Sequence, residues 1–256
     1  MKLQLQDNNN SYIYHTTSAN RVILGQKVEE YVNDKIFKLT ITNSSANEIT
    51  FRYKLLNQRM QGRSLLHKWI AFIEKFQEDM YFITDKTGVI IDIQKIDSLV
   101  EKWENNYKYA AKKLFKKKDS VSCNLMVDKI SSLLNNKQSF IDSFKGYNIY
   151  RFFFQGHYEP HKTEKKVSLN NFFGKVDLPL IFTSSIEQME SLDFCEIKKR
   201  GKIDRNNLNR NAFSRMLKDL TGIYNIDATI ALEAEEKYIF NQSGWLKEGE
   251  MFFHLQ

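Results

Sequence analysis

Residues 35–56 read KIFKLTITNSSANEITFRYKLL, and this stretch decides the fold class. Apolar and polar residues alternate through 35–42, the turn formers Asn43 to Asn47 follow, and alternation resumes at Glu48. A period of two puts Ile49, Phe51 and Tyr53 on one face of a strand. Two such runs joined by a polar turn predict an antiparallel hairpin with one buried face.

Working outward, residues 11–16 (SYIYHT) are rich in strand formers and extend the β-rich start. Ser64 stands where an N-cap belongs, and Leu65, Leu66, Trp69, Ile70, Phe72, Ile73 and Phe76 recur at helical spacing behind it. Residues 80–84, the turn Asp85-Lys86-Thr87-Gly88 and residues 89–93 form the clearest hairpin signal in the chain. From Asp97, or the residue before it, the stripe Leu99, Val100, Trp103, Tyr107, Ala110, Ala111, Leu114 and Phe115 predicts a long helix. A second helix is expected over 122–144, antiparallel to the first, with Leu125, Met126, Ile130, Leu133, Leu134, Ile141 and Phe144 as its core face.

Strands are expected again at 148–155 (NIYRFFFQ), 177–183 and 192–198, followed by a helix over 208–220 that ends at Thr221-Gly222. Residues 223–234 alternate almost perfectly, and 237–240 and 250–255 flank Gln242-Ser243-Gly244 as a closing meander. Strands grouped in runs indicate α+β rather than a doubly wound sheet. The expected architecture has antiparallel β-rich N- and C-terminal segments (1–95 and 146–256, the latter with one helix) around a central antiparallel helical pair (96–145). Both halves share a strands–helix–hairpin order, but their residues do not align. With 2 Pro and 10 Gly in 256 residues, no flexible linker is evident, and a single domain is expected.

Composition narrows the setting. Met1 to Asn10 lacks the apolar stretch of a secretion signal, and no window has the length of a membrane span. Two cysteines, Cys123 and Cys195, are too few for a disulfide framework, so a cytoplasmic location is expected. The net charge is +7, and residues 101–150 supply most of it, with 10 Lys against 5 acids.

That basic segment is the most informative local feature. Lys108, Lys112 and Lys116 fall four apart on a helix, with Lys113, Lys117 and Lys118 beside them and the apolar stripe opposite. Such a face suits an acidic protein partner, or phosphates. A second basic run, Lys198, Lys199, Arg200 and Lys202, adds arginine's capacity for bidentate contacts. Nucleic acid is the less favoured partner, because no helix-turn-helix, zinc-finger or RNP-like string accompanies these patches.

His157, Glu159 and His161 form the sole cluster with metal-ligand character. Pro160 bars a helix there, so the three would share a face only in extended chain. There is no nucleophile elbow, no glycine-rich phosphate loop and no cysteine with an adjacent base. The sequence therefore names no catalytic residues and no cofactor. It favours a non-catalytic protein-binding domain acting by surface complementarity, in the manner of bacterial immunity or adaptor proteins. The alternatives are a metal- or phosphate-dependent enzyme built on His157, Glu159 and His161, and a carrier of apolar ligands within a half-barrel.

Overall fold

The computed structural model describes residues 3, 5–6, 10–24, 27–62, 64–115, 119–146, 148–158, 164–169, 176–189, 194–221 and 230–255. The fold is α+β, with five-stranded antiparallel sheets in the first and last thirds and helices between them. The chain divides into two compact units, one of Asp7–Lys145 and one of Gly146–Gln256 together with Met1–Gln6. Their junction at Lys145–Gly146 carries no Pro- or Ser-rich stretch, so composition gave no sign of it.

In the first unit, strands β1 (Ser11–Leu24), β2 (Lys27–Ser44) and β3 (Glu48–Gln61) form a meander. Helix α1 (Leu65–Phe76) follows, then the hairpin β4 (Asp79–Asp85) and β5 (Ile90–Gln94). The β1–β2 pair runs unbroken from Ser11 opposite Thr40 to Leu24 opposite Lys27, while β3 pairs only as far as Val32 opposite Gln61. Beyond that point β1 and β2 continue as a two-stranded ribbon. Gly88 closes the β4–β5 turn with φ 88°, a left-handed conformation in which any other residue would be strained.

One face of this sheet is apolar through Phe37, Leu39, Ile41, Phe51, Tyr53, Met80 and Phe82, all buried. Ser64 caps α1 as expected. Its hydroxyl accepts from the His67 N–H at 3.3 Å, and the Ser64 N–H donates to His67 Nδ1 at 3.4 Å, which gives a capping box with histidine in the usual Glu/Gln position.

Helix α2 (Ile96–Lys102) passes through a π turn (Trp103–Tyr107) into α3 (Lys108–Phe115) and returns as α4 (Ser120–Asn135). Trp103 Nε1 donates to Ser131 Oγ at 2.9 Å, and the Cys123 thiol approaches the Ala111 carbonyl at 3.9 Å. These two contacts fix the antiparallel pairing. The expected continuous helix over 122–144 is instead two. Asn136 leaves the helical region (φ −119°, ψ 93°) and caps α5 (Lys137–Ser143) by accepting from the Ser139 N–H at 3.0 Å. The break lets α5 turn Phe140 and Phe144 inward, and Phe144 meets Phe82 with ring centroids 5.1 Å apart.

The second unit repeats the element order. Strands β6 (Glu164–Leu169), β7 (Leu178–Met189) and β8 (Phe194–Ile203) form a meander, helix α6 (Arg210–Thr221) follows, and β9 (Leu232–Phe240) and β10 (Leu246–Leu255) close the sheet. Leu178, Leu180, Phe182, Leu232 and Ala234 form its core with Phe213 of α6. The Gln6 N–H donates to the Ser243 carbonyl at 2.9 Å, which ties the N-terminal residues to this unit.

The strand expected at 148–155 is not formed. Asn148 accepts from the Tyr150 N–H at 3.0 Å and opens a 3-10 turn (Ile149–Phe152), a local bond that competes with extension. β6 was not anticipated, because EKKVSL is short and charged, as edge strands often are. The Gly222 cap and most of the strand expected at 223–234 lie outside the described residues; β9 begins at Leu232.

Candidate functional site

The lysine face lies on α3. Lys112 and Lys113 are exposed near its C-terminus, where the helix dipole favours cations. Lys108 is partly neutralised, since its Nζ lies 2.8 Å from Glu104 Oε2 one turn earlier. Lys116, Lys117 and Lys118 fall outside the described residues.

What the periodicity did not reveal is the company these lysines keep. Tyr109, three and four residues before Lys112 and Lys113, is 71% exposed, and Leu114 is 56% exposed. On α4, Val121 and Leu125 are 68% and 67% exposed, one turn apart on the side away from buried Cys123 and Val127. The register set by Ala111–Cys123 and Trp103–Ser131 brings Tyr109 level with Leu125 along the hairpin. Leu114 and Leu125, both expected on buried helix faces, are exposed; Ala111 and Phe115 carry the buried face of α3, Phe115 against Trp69 and Phe72 of α1, and Cys123, Val127 and Leu134 carry that of α4. At the start of α4, Asp119 accepts from the Ser122 N–H at 2.9 Å. The Ser122 hydroxyl and N–H beside it hold this carboxyl below its ordinary range.

The second basic run is divided by strand alternation. Lys198, Arg200 and Lys202 point to the exposed face of β8, whereas Lys199 points inward, with Nζ 5.0 Å from the centre of the Tyr238 ring. Lys198 and Arg200, with Lys237 of β9, meet acids. Lys198 Nζ lies 2.6 Å from Glu196 Oε1, Lys237 Nζ 3.6 Å from Glu196 Oε2, and Arg200 Nε 3.3 Å from Glu235 Oε1. Lys198, first among its surroundings, holds the Glu196 carboxyl below the usual range. Around Glu196 and Glu235 this surface is a network of ion pairs within β8 and across to β9.

Of the three residues with metal-ligand character, His157 alone is described. It is buried against Tyr238 and Phe240, with ring centroids 4.5 and 5.1 Å away. Neither ring nitrogen meets a hydrogen-bond partner at bonding geometry among the described residues, although the Arg151 backbone lies near enough to offset part of the burial. Burial first, and then the charges of Lys199, Arg151 and Lys165, hold its pKa well below the usual value and keep it neutral. Among the described residues no three His, Cys, Asp or Glu side chains are grouped to hold a metal ion.

Beside His157 is a polar cluster that sequence reasoning missed. Arg151 Nε donates to Glu236 Oε1 at 2.7 Å, and the Tyr238 hydroxyl donates to Glu236 Oε2 at 2.7 Å. Gln155 donates to the same tyrosine oxygen. Glu236 occupies an inward position of β9, between Ala234 and Tyr238. An acid in the apolar phase of an alternating strand was the available signal. Arg151, Glu236 and Tyr238 are buried, whereas Gln155 is half-buried.

Among the described residues no helix is long and apolar enough to cross a membrane. No protein-family model, no curated protein and no solved structure matches the chain.

Proposed function

We propose that the chain is a non-catalytic protein-binding domain that docks an acidic partner on its α3–α4 hairpin, as immunity and adaptor proteins do by surface complementarity. The observation that carries this reading is the exposure of Tyr109, Leu114, Val121 and Leu125 beside Lys112 and Lys113. Apolar and aromatic side chains supply the area that is worth burying, and the lysines supply steering and register. A solvated helical hairpin needs none of these four residues outside its packed face.

The test uses a partner captured from the native source and then purified. Lys112→Glu with Lys113→Glu should weaken binding about tenfold or more and flatten its salt dependence. Val121→Ser with Leu125→Ser should weaken binding without changing the salt slope. Circular dichroism and melting temperature should stay as in the parent for both. Parental affinity in both variants removes the hairpin as the docking face.

A further inference from the structure

Among the described residues the two sheets have four edges, and three of them carry the devices that keep edges from pairing. β5 is only 5 residues long, β6 presents Glu164, Lys165 and Lys166, and β10 combines a register shift between Leu246 and Glu248 with Lys247, Glu248 and Glu250. β1 has none of them. It is 14 residues long, holds an unshifted register against β2, and contains neither proline nor glycine. From His15 to Leu24 its sole permanently charged residue is Arg21, and residues 17–21 are exposed. A long, regular, nearly uncharged outermost strand is a template for another strand.

We propose that β1 pairs antiparallel with β1 of a second copy of this chain, about a two-fold axis at Ala19, so that two sheets join into one. Antiparallel pairing places residues of the same face opposite one another. In this register Ala19 faces its own copy and Thr17 faces Arg21 of the second copy. Charge selects it. Thr17 is paired with Asp34 on β2, its hydroxyl donating to Asp34 Oδ1 at 2.6 Å. Arg21 of the second copy then lies two strand spacings from Asp34, roughly 10 Å between backbones and within the combined reach of the two side chains. The two-fold makes this contact twice, and no like charges oppose each other. Within its own chain Arg21 Nε lies 2.9 Å from Glu30, so the guanidinium is already held at this level.

The experiment is light scattering across a concentration series, combined with cross-linking. The parent should form dimers. Ala19→Lys sets two ammonium groups face to face at an exposed position, and should raise the dimer Kd about tenfold or more while leaving the melting temperature unchanged. Ala19→Cys should yield a disulfide-linked dimer on mild oxidation. Thr17→Cys, which faces Arg21, should not, and Cys123 and Cys195 are both buried. A parent that stays monomeric, a dimer that survives Ala19→Lys, or cross-linking through Thr17→Cys as fast as through Ala19→Cys would each overturn the proposal. It does not depend on the hairpin reading, and Lys112→Glu with Lys113→Glu should leave the dimer intact.

Discussion

Arg151 and Glu236 form an ion pair across 85 positions of sequence, with Nε 2.7 Å from Oε1 and side chains 4% and 0% exposed. The pair lies on the inner side of the second sheet, where the Arg151 guanidinium also covers the Phe182 ring at 5.0 Å. Removing one partner strands the other charge in the interior, so Glu236→Ala should cost about 3–5 kcal/mol in urea unfolding. Replacing both, with Arg151→Met and Glu236→Leu, should cost much less, because no charge is left buried. A double variant as unstable as the single one would mean that the pair contributes net stability beyond satisfying its own burial.

His157 gives the second unit a pH dependence above the carboxylate range. Its folded pKa is depressed below the ordinary 6.5, so the unfolded chain binds a proton that the folded chain does not. Stability should be complete above pH 6.5 and fall as pH drops, approaching about 1.4 kcal/mol per unit. His157→Phe keeps a ring between Tyr238 and Phe240 and should flatten that slope between pH 7 and 5, as followed by urea midpoints at several pH values.

In the first unit, Glu74 of α1 joins helix to sheet. It accepts from Asn33 Nδ2 at 3.1 Å, from Lys35 Nζ at 2.5 Å and from Gln58. Glu74→Ala should lower stability by roughly 3 kcal/mol, since Lys35 is itself mostly buried. Adding Lys35→Met should recover part of the loss, which a double-mutant cycle would measure.

Gly201, within the second basic run, has no room for a methyl group. A Cβ there would lie 2.6 Å from the Phe182 ring and 3.0 Å from Ala234 Cβ. Gly201→Ala should therefore cost about 1–3 kcal/mol through overpacking, with the sheet retained, as read by thermal unfolding.

Local signals were legible wherever one residue type had one job. Ser64 opened α1, and Asp85 to Gly88 made the β4–β5 turn, because caps and turns are settled within four residues. The aromatic run at 149–154 misled for the opposite reason. Its strand formers serve a 3-10 turn that delivers Arg151 to Glu236, a partner no local window contains. Alternation also hid the split of Lys198 to Lys202 between two faces, since a run of charges reads as one patch until the strand is known. At the hairpin, the lysines were visible in composition. The exposure of Leu114 was not, because a π turn at Trp103–Tyr107 shifts the phase of the helix behind it.

Every strand in both sheets hydrogen-bonds to the strand next to it in sequence. Within each sheet the sequential neighbours β1–β2, β2–β3, β4–β5 and β9–β10 are joined by short connections with low loop-closure entropy, whereas β3 reaches β4 through α1 and β8 reaches β9 through the segment that carries α6. On the ribosome the first sheet has all its partners once Gln94 has emerged, before any strand of the second sheet has been made. The two sheets thus form in succession without competing for strands, and β1, laid down first, is the edge left waiting longest.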